Sequence, residues 1–247
     1  MHFLVFQHVA VEHPGIFRDF WREAGVRWSV VELDEGDSIP EDLTPYSALV
    51  VMGGPMDVWQ REEHPWLIPE VAAIRKFVVG LARPYLGVCL GHQLLAVALG
   101  GHVALAAESE VGPWPVRLTQ HHDADPLLRG FPSPMTTFQW HSAEVKTLPA
   151  DAVVLAETDA CPIQAFRWGS CAYGLQFHAE ITAQTVEDWG RIPAYRASLE
   201  AALGEGASDY LAIKTLGLLP EFNQTARTLN DRFLDVVQRH LSLSPAA

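Results

Sequence analysis

The chain has 247 residues, 49% of them apolar with 8 Trp and 11 Phe, enough to bury a substantial core and too apolar for a disordered chain. Its net charge of -13 leaves no basic surface to neutralise nucleic-acid phosphates and points to small-molecule or protein partners. Three cysteines, Cys89, Cys161 and Cys171, are too few for a disulfide framework, so a reducing, cytoplasmic setting is expected.

Met1 to Ala10 is apolar but short, with no basic start and no small-residue cleavage site, and reads as a first strand over His2 to Val9. No apolar run reaches membrane-spanning length. Pro14 to Ala24 carries Ile16, Phe17, Phe20 and Trp21 at helical spacing and stops at Gly25. Trp28 to Leu33 reads as a second strand, Asp34 to Pro45 as an acidic loop, and Ser47 to Met52 as a third strand running into Gly53-Gly54-Pro55. The Trp-rich stretch Val58 to Trp66 reads as an exposed loop and a candidate interface, and Trp66 to Val79 has helical periodicity. Tyr85 to Val88 is a short buried strand, and Gln93 to Leu99 a helix stopped by Gly100-Gly101. Strands alternating with helices, with continuous apolar runs, predict an α/β fold: a doubly wound, mostly parallel sheet with helices on both faces. Such sheets hold their sites beyond the carboxyl ends of the strands, where Gly53-Gly54 and Cys89 both fall.

From His102 the texture changes. Val116 to Thr119, Thr136 to Trp140, Ala152 to Glu157, Gln164 to Trp168 and Ala172 to Phe177 read as short strands, a more antiparallel extension that makes the sheet mixed. From Gln184 the chain is helical in tendency. Ile192 to Leu203 and Thr225 to Leu241 are the clearer segments, with breaks at Gly204 to Ala207 and Gly217 to Pro220. Leu229, Phe233, Val236, Val237 and His240 form a stripe expected to pack on the core.

Two stretches carry chemistry. Cys89 stands between a strand and a helix, with Gly87 two residues before and Gly91 two after, the spacing of a nucleophile elbow. The tight turn leaves no room for side chains at the glycines, and the helix N-terminus favours a thiolate. A buried structural thiol is the plain alternative for a cysteine taken alone. In the second stretch, Gln176-Phe177-His178-Ala179-Glu180, a strand delivers His178, and Glu180 two residues on shares its side in an extended chain. A carboxylate there orients an imidazole and favours its charged form, and Cys, His and acid together make an activated nucleophile.

Gly87-Val88-Cys89-Leu90-Gly91-His92-Gln93, preceded by Met52-Gly53-Gly54-Pro55 and followed by Gln176 to Glu180, closely resembles the class I (triad-type) glutamine amidotransferase family. Gly53 to Met56 and His64-Pro65-Trp66-Leu67 place the resemblance near free-standing proteins similar to the glutaminase domain of GMP synthase. The resemblance implies a flavodoxin-like amidotransferase domain over residues 1–190, with 191–247 a helical extension packed on it. It implies Cys89 as nucleophile, His178 as general base and acid, and Glu180 as its orienting partner. The N–H of Leu90, with one from Gly53 or Gly54, would form the oxyanion hole. Gln93 would contact the substrate, and His141-Ser142 would lie near its amino-acid end, although Trp140-His141 also reads as a packed strand end. The substrate implied is L-glutamine or another γ-glutamyl small molecule, with no metal and no cofactor. With no Gly-x-x-x-x-Gly-Lys-Ser/Thr run, the acceptor of any ammonia is expected on another chain, a separate synthetase subunit, or to be absent. Pro113 before Trp114 departs from the family pattern in Glu108 to Pro115, a stretch expected to border the pocket. A γ-glutamyl peptidase with the same triad is the alternative enzyme, and a thiol sensor on the same sheet the alternative of another class. A serine-type hydrolase is disfavoured, since Cys occupies the elbow.

Overall fold

A computed structural model describes residues 1–243. The last four residues of the predicted helical extension lie outside the described residues. The parallel half of the sheet is built from β1 (His2–Gln7), β2 (Arg27–Glu32), β3 (Ala48–Val51), β4 (Tyr85–Val88) and β9 (Ala172–Leu175). The antiparallel half comprises β5 (His102–Leu118), β6 (Met135–Thr147), β7 (Ala152–Glu157) and β8 (Ala165–Trp168). Together they form one nine-stranded mixed sheet in the order β2-β1-β3-β4-β9-β8-β7-β5-β6.

The alternation of side chains along β1 divides the core in two. Phe3 and Val5 join one apolar layer with α1 (Phe17–Glu23) and the C-terminal end of α6 (Ala207–Leu243). Leu4 and Phe6 join the layer with α2 (Leu67–Arg75) and α3 (Leu90–Ala98). Strands covered on both faces read as unbroken apolar runs, which is why β1, β3 and β4 are visible in the sequence. A third cluster joins α4 (Thr185–Gly190), α5 (Pro193–Leu203) and α6 to β5 and β6 through Trp140, Trp189, Tyr195, Leu211 and Phe222. The predicted stripe on α6 is confirmed at Leu229, Phe233, Val236 and Val237, all buried, while His240 is half-buried.

Four expectations are corrected. The predicted break at Gly217 to Pro220 is absent, and α6 runs 37 residues with Pro220 inside it. Leu211 and Thr215 before the proline and Phe222 and Ala226 after it are buried, so packing on both sides holds the helix together despite the lost N–H. Strands β5 and β6 are much longer than predicted; Gly112, Pro113 and Pro115 in β5 masked a continuous ladder that also carries a bulge between Leu105 and Glu110. Helix α3 starts at Leu90, directly after Cys89, and not at Gln93. The Val58 to Trp66 stretch is only partly exposed: Trp59 faces solvent, but Val58 is buried and Trp66 stacks on His8 with ring centroids 5.4 Å apart.

Candidate active site

The carboxyl ends of β1, β3, β4 and β9 lie side by side in the sheet and deliver His8, Gly53-Gly54, Cys89 and Gln176 to Glu180 to one place. Cys89 caps α3 with φ 50° and ψ -102°, a conformation costing about 1–3 kcal/mol for a residue with a Cβ. Its surroundings hold it there. Cys89 N–H donates to Leu175 O (2.8 Å), Gly91 N–H to Met52 O (3.1 Å) and Tyr85 O–H to Gly91 O (2.7 Å). A Cβ on Gly87 would stand 2.4 Å from Gly91 O, and one on Gly91 2.2 Å from Val51 O. The elbow thus needs both glycines because backbone passes where their side chains would be. At the first turn of α3, the N–H of Leu90 has no partner within the helix.

His178 follows β9 and is tied across to β6 by its N–H bond to Phe138 O (2.8 Å). Its ring lies 4.5 Å, centroid to centroid, from Trp189 and is buried. Nδ1–H donates to Glu180 Oε1 at 2.7 Å, which leaves Nε2, without a hydrogen-bond partner among the described residues, as the nitrogen free to exchange a proton with Cys89. Burial opposes charge on this imidazole, but Glu180 and Cys89 outweigh it and raise its pKa well above the ordinary histidine value. Glu180 is fixed in turn: its carbonyl accepts the N–H of Ile16 at 2.9 Å.

Gly54, Leu90, Gln93, His141, Ser142 and Tyr195 line a cavity of about 130 Å³ that opens on Cys89. Gly53 instead turns its carbonyl toward His8, whose Nδ1–H donates to it at 2.8 Å. Gln93 Nε2 donates to Ala143 O (3.2 Å) and to Gln176 Oε1 (3.1 Å). His141 is buried between Ala143 O (3.1 Å) and Glu110 Oε2 (3.0 Å), and Ser142 Oγ accepts from Ser109 Oγ at 2.8 Å. All the residues expected at the site except Gly53, His178 and Glu180 thus border the cavity, and those three are buried and do not line it. The Glu108 to Pro115 stretch does not border it as expected. It acts through the Glu110 bond to His141, while Trp114 is 40% exposed on another surface. His92, three residues after Cys89, packs edge-on against Phe166; burial pushes it down to about 3, so it stays neutral.

Several contributors carry little or no signal in the sequence. Gln176 Nε2 donates to Cys89 Sγ at 3.6 Å; its one signal is its place two residues before His178. His8 and Glu70, bonded at 2.8 Å, and Glu12 with Tyr195 come from distant segments with no motif between them. Two groups among the described residues have metal-ligand spacing, Glu110-His141-Cys161 and Glu12-His178-Glu180. The first does not suit an ion: both nitrogens of His141 are already hydrogen-bonded, and burial pushes the Cys161 thiol up, away from the thiolate a metal requires. In the second, His178 Nδ1 is bonded to Glu180 and Glu12 Oε1 accepts the Tyr195 hydroxyl.

The fold and site define an α/β protein with a cysteine on a strained elbow and a buried His–Glu pair behind it. Residues 17–188 match the sequence profile described as glutamine amidotransferase class-I. The chain is 34% identical over 196 residues to the glutamine amidotransferase-like protein YfeJ of Salmonella typhimurium, covering 76% of this chain and 78% of that one. It is 36% identical over 160 residues to the GMP synthase [glutamine-hydrolyzing] of Aeropyrum pernix, covering 65% of this chain but 29% of that longer protein. A crystal structure of a glutamine amidotransferase from Thermotoga maritima superposes with a TM-score of 0.84 at 29% identity, over 95% of this chain and 98% of that one. This chain belongs to the class-I glutamine amidotransferase family, and its sheet is that family's flavodoxin-like fold.

Proposed function

We propose that the protein hydrolyses the side-chain amide of L-glutamine to glutamate and ammonia through a thioester on Cys89. The observation that carries the reading is Cys89, strained at the N-terminus of α3, with a buried His178 beside it whose Nδ1 is held by Glu180 and whose Nε2 has no hydrogen-bond partner among the described residues. Cys89 attacks the amide carbon as thiolate, its proton having passed to His178. The oxyanion is met by the N–H groups of Leu90 and Gly54, worth about 3 kcal/mol per donor in comparable sites. Gly54 is favoured over Gly53 because a trans peptide aims its N–H opposite to its C=O, and the Gly53 carbonyl is taken by His8. His178 then gives its proton to the departing nitrogen, and ammonia leaves. Water, deprotonated by His178, attacks the thioester, and collapse of the second tetrahedral adduct returns the proton and frees glutamate. Glu180 holds one tautomer and one ring orientation throughout.

The small cavity, closed on one side by Tyr195 and Ser198 of α5, favours a compact amino acid over a γ-glutamyl peptide. Gln93 is read as a group that contacts the substrate, and His141 and Ser142 as lying near its amino-acid end. Residues 1–190 carry the chemistry in this reading, and the helices from 191 onward wall the pocket. Some relatives are named as one subunit of a glutamine-hydrolyzing GMP synthase, such as that of Sulfolobus acidocaldarius at 32% identity. They support a synthetase on a separate chain as the acceptor of ammonia. Among the described residues no helix is long and apolar enough to cross a membrane. The test is glutamate release from L-glutamine by the purified chain beside Cys89→Ser and His178→Asn. Release lost in both variants is expected; release that survives either one overturns the assignment.

A further inference from the structure

Glu12 lies in the loop after β1 and is 1% exposed. One polar atom each of Glu12, His178 and Glu180 lies within 4.8 Å of the others. A Cβ on Gly53 would fall 2.5 Å from Glu12 Oε2 and 3.1 Å from His178 Cε1, so the carboxyl and the ring meet above that glycine. The second carboxyl oxygen, Oε1, accepts the hydroxyl of Tyr195, which lines the substrate cavity from α5. Oε2 has no hydrogen-bond partner among the described residues. A buried carboxyl oxygen left without a donor is costly, and a nearby imidazolium is the group that offsets it. Glu12 and Tyr195 both lie outside the 17–188 stretch that matches the family profile.

We propose that Glu12, clamped by Tyr195, is a second positioning carboxyl for His178, through which the α5 wall of the pocket is coupled to the charge state of the Cys89–His178 pair. The proposal rests on the reading of that pair as the reacting groups. The groups facing Glu12 are His178 and Glu180 from the segment after β9, Tyr195 from α5 and His8 from the end of β1. Burial pushes the Glu12 carboxyl up to about 7, with His178 and the Tyr195 hydroxyl pulling down and Glu180 pushing up. Near neutral pH Glu12 therefore changes charge. Its ionised form stands on the His178 side of the pair, stabilises the imidazolium and so favours the thiolate–imidazolium state over the neutral one.

The test is the pH dependence of Cys89 alkylation by iodoacetamide, read on the Cys89 peptide by mass spectrometry, in the full chain and in Glu12→Gln and Tyr195→Phe. Wild type should show a step near pH 7. Glu12→Gln should lose the step and react several-fold more slowly above it. Tyr195→Phe should keep the step but move it to higher pH, because the carboxylate has lost its donor. Profiles of Glu12→Gln and wild type that superimpose overturn the proposal; if Glu12→Gln does not fold, an unshifted Tyr195→Phe profile overturns it. Alkylation needs no glutamine, so glutamate release measured alongside reports on the glutaminase reading separately. Release with an unaltered Glu12→Gln profile sinks only the Glu12 role, and a stepped profile without release sinks only the glutaminase.

Discussion

His8 Nδ1 donates to the carbonyl oxygen of Gly53 at 2.8 Å, joining the end of β1 to the loop after β3. On its other side His8 Nε2 meets Glu70 Oε1 at 2.8 Å, with both side chains fully buried. Burial alone would discharge this histidine, but Glu70, the Gly53 carbonyl and Glu12 raise its pKa above the ordinary value. With both nitrogens donating, His8 fixes the Gly53–Gly54 peptide and thereby aims the Gly54 N–H.

His8→Gln is accordingly predicted to lower kcat for glutamate release by about 10–100-fold, somewhat less than the roughly 100–1,000-fold lost with a whole oxyanion donor because the Gly54 N–H is misaimed and not removed, with little change in KM. Steady-state kinetics check this. A variant with unchanged kcat would mean that the peptide holds its orientation without His8.

The elbow glycines are predicted to be irreplaceable for two different reasons. Gly91→Ala drives a Cβ into Val51 O of the neighbouring strand, and Gly87→Ala drives one into Gly91 O within the elbow itself. Gly91→Ala should lower the melting temperature, since it pushes α3 off β3. Gly87→Ala should lose Cys89 reactivity first, because the clash is relieved by opening the turn. Thermal unfolding and Cys89 alkylation on the two variants separate these effects.

The His178–Glu180 bond carries a signed pH dependence. The folded pKa of His178 is raised, so its contribution to stability is complete below the unfolded value of about 6.5 and is lost as pH rises through the folded value. Glu180→Gln removes the second-largest influence on that ring and its one hydrogen-bonded carboxylate. Its destabilisation, measured by denaturant unfolding, is predicted to be full at about pH 6.5 and just below it and to shrink toward alkaline pH. A penalty that grows with pH would contradict the assignment of charge to His178.

Pro220 is exposed within α6, so replacing it removes little packing. Pro220→Ala restores an N–H and relieves the clash with the preceding turn, and is predicted to stabilise the protein by about 1–3 kcal/mol. Denaturant midpoints check it. A loss of stability would mean that the proline itself is needed for packing on both sides of it.

The parallel half of the fold and the Cys89–His178–Glu180 set are legible in the sequence because each is local. Doubly covered strands leave unbroken apolar runs, and the elbow and the His-x-Glu pair fit within a few residues. The long β5–β6 ladder is hidden because Pro113 and Pro115 punctuate it, and the continuous α6 because tertiary packing overrides Gly217 and Pro220. Glu12, His8, Glu70 and Tyr195 are not legible at all. Each acts across a long sequence separation, at contacts that only the strand order β1-β3-β4-β9 and the seating of α5 create.

The central claim is that Cys89 takes up the glutamyl group. Intact-mass and peptide analysis of protein acid-quenched during turnover with L-glutamine tests it most directly. A glutamyl adduct on the Cys89 peptide, absent in Cys89→Ser, is the predicted result. Glutamate release that continues in Cys89→Ser with no adduct on any peptide would contradict it.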